Sequence, residues 1–163
     1  MLCFVSGTIL LGATLKINLA PIQRTKAPGE LSCGGCHSGN INTGPGSVSW
    51  QLPASYVPGQ TYAITVSVND NAFPNGRFGF TGTILDNNNQ RQGTFQVLNS
   101  NNTSLQSGMT SGALRQYIGH ANADGNATWT FNWTAPATAA GPLKVYTVGV
   151  AANGNSSTNN DRV

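Results

Sequence analysis

Five consecutive residues, Cys33-Gly34-Gly35-Cys36-His37, match the Cys-x-x-Cys-His pattern of covalent haem attachment. Two thiols three positions apart can reach the two vinyl groups of one porphyrin, and the histidine that follows can ligate the iron. The two glycines let the backbone approach the porphyrin closely. We therefore predict one haem c per chain, bound covalently through Cys33 and Cys36, with His37 as an axial iron ligand.

Other chemistry could also use this cysteine pair. A Cys33–Cys36 disulfide is one possibility, and a thioredoxin-like redox pair is another. A redox pair normally opens a helix of a βαβ unit, and the sequence predicts no such unit. A structural zinc ion would need further ligands, because the chain has no second pair of cysteines.

The second axial ligand of an electron-carrying haem is usually His or Met. His120 is the only histidine besides His37, so we predict it as the second ligand. Met109 is the substitute, and an open iron position is the third possibility. Ligation by two histidines would lower the reduction potential relative to His/Met ligation and would block small-ligand chemistry.

The acidic residues show no arrangement typical of catalysis. They are few and dispersed, and no Ser-His-Asp set or carboxylate pair is evident. We predict no catalytic residues and a chain that is not an enzyme. Asp161, in the Asn-rich tail, could bind calcium, but a solvated loop is the favoured interpretation. The tryptophans Trp50, Trp129 and Trp133 alternate with polar residues, which favours core packing over a sugar-binding platform.

Composition restricts the other functions. Only 8% of the 163 residues are charged, and the eight Lys and Arg are scattered singly, so the sequence predicts no nucleic-acid partner. Residues 2–15 are apolar but too short to span a bilayer, so no transmembrane helix is expected. They are either a degenerate secretion signal or a retained structural segment. We assign residues 1–27 to an N-terminal arm and residues 28–163 to one domain.

Alternation of apolar and polar residues predicts that this domain is all-β. About seven short strands, separated by turn sequences rich in Gly, Pro, Asn and Asp, are typical of an antiparallel β-sandwich. The predicted strands are centred on Val48–Leu52, Tyr62–Val68, Phe78–Ile84, Phe95–Val97, Trp129–Trp133 and Leu143–Val150. No helical stripe is evident, although Leu114–Ile118 could form one helical turn.

Most of residues 27–162 resembles a family of bacterial secreted domains related to the reeler domain, known as choice-of-anchor domains. The stretches that carry this resemblance are Ala27-Pro28-Gly29-Glu30 before CGGCH, SYVPGQTYAITVSV at 55–68, RFGF at 77–80, QYIGH at 116–120, FNWTAPA at 131–137 and VAANGN…ND at 150–161. The resemblance implies an immunoglobulin-like β-sandwich. It also implies haem-binding roles for Cys33, Cys36, His37 and His120.

The main hypothesis is therefore an extracytoplasmic single-haem c-type cytochrome that is secreted or held at the cell surface. Its partners would be redox proteins or neighbouring copies, with residues 1–20 joining copies into a homo-oligomer or an electron-conducting filament. The alternative is a cell-surface adhesion or carbohydrate-binding module with a Cys33–Cys36 disulfide. A haem enzyme such as a peroxidase is a third hypothesis, and it requires an open iron position.

Overall fold

The computed structural model describes residues 19–39 and 41–163. Within them the chain forms a short 3₁₀ turn, Cys33–Gly35, and eight β-strands. The strands are β1 Ser47–Gln51, β2 Thr61–Asn69, β3 Arg77–Leu85, β4 Thr94–Gln96, β5 Thr103–Thr110, β6 Ala113–His120, β7 Thr128–Thr134 and β8 Lys144–Ala152.

The strands form two antiparallel four-stranded sheets that pack face to face. The first sheet has the order β1-β2-β7-β4 and the second has the order β5-β6-β3-β8. Aromatic and β-branched side chains of both sheets fill the space between them, with Phe80 stacked on Phe131 at 6.1 Å between ring centroids. Burial of this apolar surface holds the sheets together.

The predicted all-β sandwich is confirmed, with eight strands in place of about seven. The possible helical turn at Leu114–Ile118 does not form, because these residues belong to strand β6, which pairs with β5 along its whole length. The sequence pattern does not identify β5 and β6 as strands, and the reason is the same for both. Their apolar alternation is weak, since β5 is mostly polar and β6 buries the charged side chain of Arg115.

The segment before the 3₁₀ turn covers the face of the second sheet that points away from the core. Arg115 and Tyr117 of β6 point to this face, because they alternate with the core residue Ile118. Their side chains donate hydrogen bonds of 2.6 and 2.8 Å to Glu30 Oε1. The other carboxylate oxygen accepts a 2.6 Å bond from the hydroxyl of Thr25. These buried contacts anchor the chain just ahead of the two cysteines.

The predicted arm is described only in part. Residues 1–18 lie outside the described residues, so the predictions for their role stay predictions. The remainder of the arm packs onto the sandwich, where Ala20, Thr25 and Ala27 are buried. In the part of the chain that the structure covers, no helix has the length and apolar character needed to cross a membrane.

Candidate functional site

The Cys-x-x-Cys-His motif folds into a single turn of helix. Its N-cap, Ser32, accepts a hydrogen bond from the backbone N–H of Gly34 at 3.3 Å. The backbone N–H groups of Cys36 and His37 both donate to the Cys33 carbonyl at 3.0 Å. The turn therefore brings the backbone of Cys36 and His37 next to that of Cys33.

The two thiols are free and have different environments. Cys33 is buried and Cys36 is exposed. Burial raises the pKa of the Cys33 thiol to about 11, although the nearby Arg24 opposes this shift. Cys33 is therefore protonated at neutral pH, whereas a thioredoxin-like redox pair depends on a thiol with a lowered pKa.

His37 is held by an acidic residue from the far end of the chain. Its Nδ1 atom lies 2.7 Å from Oδ2 of Asp161, whose side chain is only 1% exposed. When Nδ1 donates to the carboxylate, Nε2 carries the ring's lone pair. The interpretation of Asp161 as a solvated loop residue is wrong, because this side chain is buried against the cysteine motif.

His120 is the last residue of β6, and its ring lies against the backbone of β3. Its Nδ1 atom lies 3.0 Å from the Phe80 carbonyl oxygen and 3.1 Å from the Phe80 nitrogen. In the tautomer that carries the proton on Nδ1, the ring donates to the carbonyl and leaves Nε2 free as an acceptor. Gly79 makes room for the ring, since a Cβ atom at this position would lie 2.6 Å from His120 Cε1.

Burial decides the protonation of His120. Burial lowers the pKa of His120, and the hydrogen bond with Phe80 opposes that shift. The charge of Asp124 also raises the pKa of His120, and His37 has a smaller lowering effect. Hydrogen bonds place the cysteine turn at the same end of the second sheet, because Asp161 bonds both His37 and the backbone of Asn153, directly after β8. That end of β8 pairs with the start of β3, which also contacts His120.

Met109 lies elsewhere on the second sheet. In the β5–β6 ladder Thr103 is the partner of His120, whereas Met109 is the partner of Leu114. Six residues of an extended strand separate these positions, which is about 20 Å at the usual rise per residue. The structure does not bring Met109 to His120, and its 58% exposed side chain lies near the opposite end of β5.

Within residues 19–39 and 41–163, no group of three or more His, Cys, Asp or Glu is placed to hold a metal ion. A groove of about 400 Å³ lies beside β8, and Lys26, Asp70 and Arg162 line it together with apolar side chains, but none of the predicted site residues does.

Trp129 and Trp133 are buried in the core, and Trp50 packs against it. The prediction that the tryptophans pack in the core is confirmed.

Comparison with known proteins gives the family. The Reeler domain model matches residues 38–153. The chain belongs to the Reeler domain family. Two solved structures of the human F-spondin Reeler domain are similar to this chain. The first shares 21% sequence identity with a TM-score of 0.51, and the match covers 71% of this chain and 82% of that chain. The second shares 20% identity with a TM-score of 0.49, and the match covers 73% of this chain and 84% of that chain. No curated protein matches. At these identities the likeness to the solved structures shows the fold alone.

The Reeler match does not include the cysteine turn. It begins at residue 38, directly after His37, and ends at residue 153, before Asp161. His120 lies inside the match, at the end of strand β6. The candidate site of this Reeler domain therefore combines one residue of the sandwich with two segments outside the matched range. Family membership accounts for the fold, and the function must be argued from the site itself.

Proposed function

We propose that this Reeler domain is a single-haem c-type cytochrome that transfers electrons outside the cytoplasm and is not an enzyme. Haem c would be attached through Cys33 and Cys36, and the iron ligands would be His37 and His120. The proposal combines the sequence motif with the geometry of the two histidines.

The cysteine turn suits a haem bound at the protein surface. The turn holds two thiols and an imidazole within five residues, as attachment and ligation by one short loop require. Cys33 is buried and Cys36 is exposed. Cys33 and Cys36 would hold the haem, and the exposure of Cys36 would leave this part of the site accessible to a redox partner.

The observation that carries the proposal is the hydrogen-bond partner of Nδ1 in the rings of His37 and His120. Each places Nδ1 against an oxygen acceptor, Asp161 Oδ2 for His37 and the Phe80 carbonyl for His120. Metal-ligating histidines in proteins nearly always donate one ring N–H to a carboxylate or a backbone carbonyl. His37 can therefore offer Nε2 to a metal while Nδ1 is bonded to the carboxylate. His120 can do so in the tautomer with the proton on Nδ1, in which the Phe80 N–H loses the acceptor that Nδ1 provides in the other tautomer.

Two histidine ligands favour electron transfer over catalysis. When bound, haem c supplies one-electron redox chemistry at its iron. Ligation by both His37 and His120 would leave no iron position open to a substrate, which argues against a peroxidase. The partners would be redox proteins or neighbouring copies of this chain at the cell surface, and a filament of such copies would carry electrons further than one haem can.

The adhesion alternative has less support. Cys33 and Cys36 are free thiols, and two of the three tryptophans are fully enclosed in the core. A sugar-binding platform needs exposed aromatic faces, and the tryptophans do not supply one.

The attachment is tested by substituting Cys33→Ala together with Cys36→Ala. Expression with a haem-attachment system should give intact protein that retains its haem band after acid-acetone extraction, and the double variant should lose it. Cys3→Ala is the matched control, because Cys3 lies outside the motif, and it should keep covalent haem. An intact chain without covalent haem would refute the cytochrome proposal.

The second ligand is tested by His120→Ala. We expect the six-coordinate low-spin spectrum of the intact protein to become high-spin or to depend on added ligand, because one axial position opens. Met109→Leu is the control and should leave the spectrum unchanged. A low-spin spectrum that survives in His120→Ala but is lost in Met109→Leu would assign the position to Met109.

A further inference from the structure

Asp161 is an almost fully enclosed carboxylate in direct contact with the cysteine motif. Its side chain is 1% exposed, and both carboxylate oxygens have partners. Oδ1 accepts the backbone N–H of Asn153 at 3.1 Å, and Oδ2 meets Nδ1 of His37 at 2.7 Å. A buried carboxylate needs such partners, because an unpaired charge in the protein interior is strongly unfavourable.

The tail that carries Asp161 is docked onto the cysteine turn by its backbone. Ser38 donates its N–H to the Thr158 carbonyl at 3.0 Å, and its hydroxyl donates to Asn159 at 3.0 Å. At Gly39 a Cβ atom would lie 1.5 Å from the Asp161 carbonyl oxygen, so only glycine allows this approach. Several independent contacts therefore fix the position of the carboxylate relative to His37.

We propose that Asp161 is a positioning residue for His37, which holds the imidazole proton on Nδ1 and directs Nε2 to the haem iron. The inference rests on the proposed function and adds to it the control of the reduction potential. A carboxylate that accepts the Nδ1–H bond raises the basicity of the metal-ligating nitrogen. A more basic ligand stabilises oxidised iron more than reduced iron, so Asp161 lowers the reduction potential of the bound haem.

A purely structural role makes a different prediction. If the contact between His37 and Asp161 only secures the tail, its loss would reduce stability and leave the electronic properties of the iron unchanged. Asn159→Ala isolates this effect, because it removes the side-chain bond to Ser38 and leaves the carboxylate in place. We expect lower stability and an unaltered potential in that variant.

The test is Asp161→Asn in the haem-loaded protein. We expect an upward shift of the midpoint potential and altered EPR g values of the low-spin ferric haem, since these report the ligand strength of the axial imidazole. Asp124→Asn is the matched control for charge. Asp124 is exposed and influences the pKa of His120 through its charge, but its own carboxylate accepts a bond from Asn126. The midpoint potential should shift less in Asp124→Asn than in Asp161→Asn.

The possible outcomes separate this inference from the proposed function. A wild-type protein without covalent haem refutes the proposed function. Covalent haem with identical potentials and g values in wild type and Asp161→Asn overturns only the role of Asp161, as do equal shifts in Asp161→Asn and Asp124→Asn. If Asp161→Asn does not fold, Asp161→Glu keeps the charge and moves the carboxylate by one methylene. The inference then requires altered g values, and an unchanged spectrum overturns it.

Discussion

Gly79 shows how one missing side chain shapes the candidate site. The His120 ring occupies the space in which a Cβ atom of residue 79 would lie. We predict that Gly79→Ala displaces the ring from the Phe80 backbone, reduces the low-spin fraction of the haem, and lowers stability by about 1–3 kcal/mol, as is usual for overpacking. Absorption spectra and urea unfolding measure the two effects.

Gly125→Ala is the matched control for this substitution. A Cβ atom at Gly125 would have no neighbour within 4 Å. The control should therefore keep both the spectrum and the stability of the wild type. A fully low-spin Gly79→Ala variant would mean that the ring position in the structure is not the ligating one.

Tyr117 gives a pH-dependent prediction at the same scale. Burial raises the pKa of its hydroxyl to about 12, and the bond to Glu30 adds to the shift. Between pH about 10, the value for an unfolded chain, and about 12, the folded protein retains a proton that the unfolded chain releases. The free energy of unfolding should therefore fall as the pH rises through this window. Tyr117→Phe should remove that part of the slope.

Tyr146→Phe is the control in this titration. Tyr146 lies half-buried on β8, and its hydroxyl makes no hydrogen bond among the described residues. Urea unfolding at several pH values compares the three proteins. Identical slopes for Tyr117→Phe and wild type would show that the hydroxyl of Tyr117 is not protected by the fold.

At the scale of elements, a buried ion pair joins the segment before the cysteine turn to strand β6. The Arg115 guanidinium lies 2.6 Å from Glu30, and both side chains are almost fully enclosed. Arg115 also donates to the Pro28 carbonyl at 3.0 Å. Removal of one partner leaves the other charge buried and unpaired, so Arg115→Met should lower the free energy of unfolding by about 3–5 kcal/mol.

A control variant and a double variant test the prediction for Arg115→Met. Arg91→Met removes an exposed arginine and should change stability by less than about 0.5 kcal/mol. The double variant Glu30→Leu/Arg115→Met should recover part of the loss, because no charge remains buried. If Arg115→Met unfolds at the same urea concentration as the Arg91 variant, the ion pair does not anchor the segment.

These elements show which parts of the fold and of the candidate site can be predicted from the sequence. Strands with aromatic or β-branched alternation, such as β2 and β7, are visible from the pattern because one face of each enters the core. The cysteine motif and His120 are recognisable from residue type and spacing. Asp161 is not, because its pairing with His37 spans 124 positions and depends on the docking of two loops. The burial of Arg115 likewise depends on a contact 85 positions away.

At the scale of the whole molecule, the candidate site joins the two ends of the domain to its middle. The cysteine turn precedes the first strand, Asp161 follows the last, and His120 ends β6. Such contacts form only when the sandwich has closed, since loop closure over long separations needs many other contacts to offset its entropy. The candidate site should therefore depend on the complete sandwich and its tail.

The edge of the second sheet gives a final prediction about assembly. Strand β5 ends the sheet order, and the side chains of Leu105, Met109 and Leu114 are exposed beside it. Side chains and backbone of residues 20–23 contact β5 at Gln106, Gly108 and Met109, but no strand among the described residues pairs with this edge. A sheet edge with apolar side chains can receive a strand from another chain. We predict that residues 2–15 of one copy pair with β5 of the next, which would bring successive haems into one assembly.

Sedimentation of three haem-loaded proteins tests this arrangement. The intact chain should assemble as its concentration rises. A chain that lacks residues 1–18 should remain monomeric, and so should an intact chain with Leu105→Lys, because a charge on the edge strand opposes pairing. Haem content should be equal in all three, since both changes lie outside the cysteine turn and the histidines. An intact chain that stays monomeric at high concentration would exclude assembly through this segment, and assembly of the Leu105→Lys chain would exclude the β5 edge as its receptor.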